Sequence, residues 1–371
     1  MRLAIDAREI EGGVTTGIGR PLYNFLQYFA RQNNEDSCVL FSGRDIPFDF
    51  GPRIKTIVIK ERFTLYWDQI VLPQAIKKEG IDLFYSPYYK IPLRAPCKVV
   101  SAILDLMYIF LEEYRQQLGF LRERYYQTGG ARYAQSAFKI LTCSQHSRHD
   151  IIRFYHVKEE KIVVIPLSVS SIYRVEKDQA KILEFKAKFK LPLQYLLYVG
   201  NLKPHKNVKS IILAFEKLAA DFPDLHLVIA GPRAHTFREL CALTEEANLQ
   251  DRVIFIGKIT ESDEPHLLYN GACVFVMPSL YEGFGLPPAE AMACGVPVVT
   301  SNTTSIPEVV KDAGILVNPT DTVEIARGIR QLLRDKDLRA RCIQKGLTYA
   351  QEYEEDKVSR RMYDFFKNLV N

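Results

Sequence analysis

Short runs of Val, Ile, Leu, Phe and Tyr alternate along the chain with longer stretches in which apolar residues recur every three or four positions. The first have the length of strands buried on both faces, and the second have the period of one helical face. In the first half the pattern predicts strands at 3–7, 38–41, 55–59, 81–85, 98–103, 139–143 and 162–165. Helices are predicted at 20–31, 68–78, 121–134 and 145–154. Residues 168–190 turn polar and Lys-rich and read as a linker with a lead-in helix. A second series then follows, with strands at 195–199, 226–230, 253–256, 273–277, 296–300 and 315–317 and helices such as 208–220 and 238–247. This alternation predicts parallel α/β layers, most simply two doubly wound sheets, one per half. Ligands of such sheets bind beyond the carboxyl ends of the strands, so the cleft between the halves is the expected site.

Length agrees with this division: 371 residues suggest two domains at about 100–200 residues each. With 47% hydrophobic and 25% charged residues, 21 Phe and 20 Tyr, the chain has the material for sizeable cores, which excludes disorder as its dominant state. The charge is uneven. Residues 1–190 carry 29 Lys/Arg against 21 Asp/Glu, whereas residues 191–371 carry 20 against 23. The basic first half suits an anionic surface. Asp6 interrupts the N-terminus before any secretory apolar region forms, and the longest apolar stretch near the middle, 99–111, is too short to span a bilayer and contains Asp105. Seven Cys without a C-x-x-C pair read as reduced thiols, which points to the cytoplasm. All seven His lie at or after His146, so no His-dependent site is built within the first 145 residues.

The segment 271–307 carries only two charges, Glu282 and Glu290. Carboxylates in an apolar run are costly to bury unless paired or hydrogen-bonded. Between them Gly283, Phe284, Gly285 and Leu286 permit a tight loop, and Pro287-Pro288 suit the first turn of a helix. A helix N-terminus of this kind accepts a diphosphate. Glu290, about one turn into such a helix, could then receive ribose hydroxyls, with Glu282 at the loop mouth. Turn and helix capping is the purely structural alternative for both.

A second segment, Gly200-Asn201-Leu202-Lys203-Pro204-His205-Lys206-Asn207, places cations after a strand and before a helix, where a phosphate would bind. It lacks the second glycine and Lys-Ser/Thr of a P-loop. Near the N-terminus, Gly12-Gly13 and Gly17-Ile18-Gly19-Arg20 lie between the first strand and first helix but lack the rest of a dinucleotide fingerprint. Asp335-Lys336-Asp337 falls between two charged helices and reads as helix capping.

The run from Glu282 to Glu290, continued by Ala-Met-Ala-Cys-Gly-Val-Pro-Val-Val, resembles the E-x7-E signature of the family 4 (group 1) retaining glycosyltransferases of GT-B fold, in their mannosyltransferase-like branch. Asp6-Ala7-Arg8 with residues 17–20, Ser144 to Ser147, Ile165-Pro166, Tyr198 to Asn207, Ile229 to Pro232, Phe255 to Gly257 and Ser301 to Glu308 resemble further family segments in order and spacing.

The resemblance implies two Rossmann-like domains facing across a cleft. Residues 1–167 would form the acceptor-side domain, 168–190 a linker and lead-in helix, 191–350 the nucleotide-sugar domain, and 351–371 a helix crossing back. Glu290 would bind the donor ribose and Glu282 the transferred sugar, with Gly283, Phe284, Gly285 and Leu286 around sugar and phosphate. Lys206 would neutralise the departing diphosphate, beside Asn201 and Gly231; Lys258 would lie near the base, and Gly19 near the donor phosphates. Arg20, Tyr88 and Tyr89 are candidates on the acceptor side, and Tyr125-Tyr126 could also stack on sugar. Where the family commonly has His-Asp, this chain has Leu104-Asp105, so Asp105 is the candidate for a sugar contact there. Asn201 stands where an Arg is frequent, with His205 as a possible substitute.

The resemblance therefore implies a metal-independent, retaining hexosyltransferase acting on a nucleotide-diphosphate sugar, with GDP-mannose expected first and a UDP-sugar second, and no other cofactor. The acceptor would be a glycan or lipid-linked glycan in surface polysaccharide synthesis, at the inner face of the cell membrane, with no nucleic-acid partner. A non-catalytic nucleotide-sugar-binding subunit, or an epimerase or phosphorylase of the same fold, is the alternative.

Overall fold

The computed structural model describes residues 1–13, 18–111 and 124–370. Gly17, the start of the helix expected at 121–134 and the side chain of Tyr125 lie outside the described residues. The chain divides into two compact units, Met1–Ser168 with Glu355–Asn371, and Val169–Glu354.

The first unit is built on seven strands: β1 (Arg2–Asp6), β2 (Ser37–Ser42), β3 (Ile54–Val58), β4 (Leu83–Ser86), β5 (Lys98–Ala102), β6 (Lys139–Thr142) and β7 (Ile162–Val164). They form one parallel sheet in the order β3-β2-β1-β4-β5-β6-β7. Chain order reverses direction between β1 and β4. The central strands are buried along nearly their whole length, because helices cover both faces of a parallel sheet.

The helix Gly19–Arg31 presents Leu22, Phe25, Leu26 and Phe29 to one side of this sheet. Against it lies the last helix, Glu355–Val370. Phe366, fully buried, meets Phe25 edge-on at 5.5 Å and Tyr85 at 5.1 Å. Truncating so buried an aromatic costs about 3–5 kcal/mol, so this contact holds the end of the chain to the first unit.

The second unit has six parallel strands: β8 (Gln194–Val199), β9 (Leu225–Ala230), β10 (Val253–Gly257), β11 (Val274–Met277), β12 (Val298–Ser301) and β13 (Gly314–Val317). Their order is β10-β9-β8-β11-β12-β13, with its reversal between β8 and β11.

All thirteen expected strands are present, with ends shifted by at most two residues. The helix expected at 68–78 differs. Helical structure already begins at Thr64–Tyr66 and passes through a wide turn, Trp67–Val71, before Leu72–Lys78. Trp67 and Asp68 turn inward there to meet Arg8, a contact that helical periodicity does not reveal. Asp335 caps the helix Lys336–Ala350, its carboxylate accepting from the Leu338 N–H at 2.8 Å. Among the described residues no helix is long and apolar enough to cross a membrane.

Candidate active site

Strands β8 and β11 are neighbours on either side of the reversal in the second sheet, the position at which open α/β sheets hold their ligands. The loop after β8 carries residues 200–207, and the loop after β11 carries residues 278–285. They meet through a backbone hydrogen bond from Leu280 N–H to the His205 carbonyl, 2.8 Å. Asn207, at φ 56°, ends the three-residue turn Pro204–Lys206. Its side-chain amide donates to the carbonyls of Pro278 (3.0 Å) and Pro319 (2.7 Å), tying the cationic loop to its neighbours.

This docking brings together two residues 76 positions apart. Lys206 Nζ lies 2.6 Å from Glu282 Oε1 and 2.9 Å from Oε2, with both side chains largely buried. The backbone of Glu282 is held as well: its N–H donates to Thr304 Oγ1, and its carbonyl accepts from Ser305 Oγ at 2.9 Å. Ser305 Oγ also reaches the Phe284 carbonyl at 3.0 Å. Gly285, at φ 102°, starts the helix Leu286–Ala293, and a Cβ there would sit 2.5 Å from Ile306 Cδ1. Among the described residues no side chain caps this helix. Glu282 pairs with a lysine instead of capping, and the start of the helix carries the positive end of its dipole.

Glu290 lies on that helix, and its Oε2 accepts the hydroxyl of Tyr269 at 2.6 Å. Tyr269 is fully buried and packs edge-on against Tyr173 at 5.5 Å. Burial, then the Glu290 charge, raises the Tyr269 pKa, so this hydroxyl keeps its proton and donates. Tyr198 is raised likewise by burial and by Glu282, and its hydroxyl donates to the Asn201 carbonyl at 2.7 Å. His205 is buried beside the pair; burial and then the Lys206 charge push its pKa down to about 4. It is therefore a neutral imidazole at physiological pH.

Gly231, after β9, approaches Gly200 so closely that a Cβ would fall 1.8 Å from the Gly200 carbonyl oxygen. Lys258 is exposed just beyond β10. The second unit thus brings Asn201, Lys206, Glu282, residues 283–286 and Glu290 onto two neighbouring loops and one helix, with Gly231 packed against the first of these loops.

Gly19, Arg20, Tyr88, Tyr89 and Asp105 belong to the first unit. Gly19 is buried at the start of its helix. Tyr88 follows β4, and its hydroxyl donates to Glu9, which follows β1, across the reversal of that sheet. Tyr89 packs among the rings of Tyr108, Tyr126 and Tyr133. Asp105 Oδ1 accepts from the Met107 N–H at 3.1 Å, opening the short helix Met107–Phe110. Leu104 lines an apolar cavity of about 50 Å³ in this unit, with Ile18, Leu141, Thr142 and Met362.

The residue pattern alone gives no role to Tyr269, Asn207, Thr304 or Ser305. Asn207 lies in the loop after β8, where nothing local shows that its amide spans two carbonyls. Tyr269 lies 21 residues before Glu290 in an apolar stretch, where a core tyrosine looks the same as a tyrosine aimed at a carboxylate.

Residues 180–348 match the family described as Glycosyl transferases group 1, and residues 15–171 match Glycosyltransferase Family 4. The chain is 34% identical over 292 residues to O-antigen chain mannosyltransferase B of Escherichia coli, covering 77% of this chain and 74% of that protein. It is 28% identical to the serotype-specific mannosyltransferase WbdA of Escherichia coli over 74% of this chain, but spans only 34% of that longer protein. Sucrose-phosphate synthase from Thermosynechococcus elongatus superposes with a TM-score of 0.78 at 19% identity, covering 100% of this chain and 99% of the other. The chain belongs to the family 4, group 1 glycosyltransferases, and its fold is GT-B.

Proposed function

We propose that this protein is a retaining mannosyltransferase. It would take a sugar, mannose as the first expectation, from a nucleotide-diphosphate donor, GDP-mannose first and a UDP-sugar second, and pass it to a glycan or lipid-linked acceptor in surface polysaccharide synthesis. The chemistry rests on the Lys206–Glu282 pair beside the start of the Leu286–Ala293 helix. The choice of mannose and of polysaccharide draws support from the likeness to O-antigen chain mannosyltransferase B.

In this reading the diphosphate competes with Glu282 for Lys206. Binding would draw the ammonium onto the phosphates and release the carboxylate oxygens to accept hydroxyls of the sugar. Glu290, oriented by Tyr269, would accept from the ribose. The bond between the anomeric carbon and the phosphate oxygen then breaks, leaving an oxocarbenium-like sugar. Lys206 and the amides of residues 283–286 stabilise the charge that develops on the leaving group, so the reading gives a metal no part in the reaction. The acceptor oxygen attacks from the face the diphosphate has left, and its proton passes to a leaving phosphate oxygen. The first unit, with Gly19, Arg20, Tyr88, Tyr89 and Asp105, is assigned to the acceptor and to contacts with the donor. Localisation at the cytoplasmic face of the membrane follows from a lipid-linked acceptor.

A nucleotide-sugar panel with a chelator present, followed by NMR of the product anomer, tests this reading. Transfer from GDP-mannose with retained configuration is the expected result. An inverted product, or activity lost with the chelator and restored by a divalent cation, overturns the mechanism. Donor binding with neither transfer nor hydrolysis returns the non-catalytic alternative.

A further inference from the structure

Four large apolar side chains lie exposed within eight residues of the first unit: Phe63 (75% exposed), Leu65 (64%), Tyr66 (57%) and Ile70 (44%). Val58, on the edge strand β3, is also exposed. Single exposed apolar residues are ordinary, but a contiguous group of this kind marks an interaction surface.

The segment is firmly anchored from below. Trp67 is buried and donates its indole N–H to the Ile59 carbonyl at 2.9 Å. The Arg8 guanidinium lies 4.1 Å over the Trp67 ring and pairs with Asp68 at 2.8 Å and Glu61 at 3.1 Å. Asp68 and Trp67 thus pin the turn inward, while Phe63, Leu65, Tyr66 and Ile70 project outward. The same contacts turn the two nearest carboxylates, Glu61 and Asp68, onto Arg8. The charges left facing outward in this segment are Lys60 and Arg62, both exposed. Residues 51–100, which contain the patch, hold nine Lys/Arg against four Asp/Glu. Aliphatic and aromatic side chains rimmed by cations fit the interface of an anionic bilayer, where the rings and branched chains enter the headgroup layer and the cations meet lipid phosphates.

We propose that the surface formed by Phe63, Leu65, Tyr66 and Ile70, with Lys60 and Arg62, seats the first unit on an anionic lipid bilayer. The proposal rests on the reading that the acceptor is lipid-linked, and it adds the face that meets the membrane.

Cosedimentation with vesicles of equal parts phosphatidylcholine and phosphatidylglycerol, against pure phosphatidylcholine, tests it. The wild-type protein is expected to bind the mixed vesicles. The triple variant Phe63→Ser, Leu65→Ser, Tyr66→Ser is expected to bind about tenfold more weakly or worse. The pair Lys60→Gln, Arg62→Gln is expected to lose about fivefold per charge, an effect that salt erases. Because the replaced side chains are exposed, the unfolding midpoint should be kept in both variants. Equal binding by wild type and triple variant overturns the assignment of this face while leaving a membrane-borne acceptor intact. Failure of the wild type to bind anionic vesicles overturns both. A wild-type dimer in solution that the triple variant abolishes, without vesicle binding, gives the face to a second copy of the chain and overturns the proposal.

Discussion

Lys206 and Glu282 are 76 residues apart in sequence, yet the lysine ammonium sits within 3 Å of both carboxylate oxygens. The pair spans the loops after β8 and β11, the two strands between which the second sheet reverses direction. Lys206→Ala should lower turnover by about 10²–10³, the usual effect of removing one group that stabilises a developing charge. It should also destabilise the fold by about 3 kcal/mol, because Glu282 is left buried without its partner. Steady-state kinetics and urea unfolding measure the two effects separately, and unchanged turnover would remove Lys206 from the proposed mechanism.

Tyr269→Phe takes away one hydroxyl and little volume. Since that hydroxyl donates to Glu290, the carboxylate loses its orientation, and the donor KM should rise about tenfold while turnover changes little. Calorimetric titration of the donor nucleotide would show the same loss. A variant whose stability falls but whose donor affinity holds would make Tyr269 a packing residue only.

His205 makes stability sensitive to acid. Its pKa is pushed down to about 4 by burial and by Lys206, with Lys203 acting the same way and Glu282 opposing. The unfolded chain, with an ordinary histidine, takes up its proton near 6.5, so between those values the unfolded state binds more protons. The contribution is fully present above about 6.5 and falls away as pH drops towards 4, with a full amplitude of about 3 kcal/mol. His205→Gln should flatten this part of the stability curve. Parallel slopes for wild type and variant between neutral pH and the acid end would contradict the assignment.

Gly231→Ala should destabilise the second unit. The added methyl would meet the Gly200 carbonyl oxygen at 1.8 Å, so the loops after β8 and β9 must separate. A loss of about 3 kcal/mol or more is expected, within the range of severe overpacking. Thermal unfolding provides the check, and a midpoint like that of wild type would show that the loops yield freely.

Arg8 pairs with three carboxylates in the first unit, Asp6, Asp68 and Glu61. Burial raises the pKa of both Asp6 and Asp68, against the pull of Arg8. Arg8→Ala should cost about 3–5 kcal/mol and increase protease cleavage around residues 61–71. Arg8→Lys should recover only part of this loss, because an ammonium cannot make the same forked contacts while stacking on Trp67.

The alternation of apolar runs and amphipathic stretches determined the α/β class, both sheets and every strand, since periods of burial are written locally in the residue order. The isolation of Glu282 and Glu290 in an apolar segment also made them legible, because a charge that costs so much to bury stands out against its neighbours. Partnership was not legible. Nothing local in the sequence told that Glu282 would pair with Lys206 instead of capping a helix, or that Glu290 would receive a hydroxyl from Tyr269. Those contacts depend on which strands become neighbours, and strand order is set by packing over the whole sheet. The same holds at residues 63–70, where helical periodicity predicts a helix only from residue 68 onward. Only the inward turn of Trp67 and Asp68 onto Arg8 decided that Phe63, Leu65 and Tyr66 would face outward.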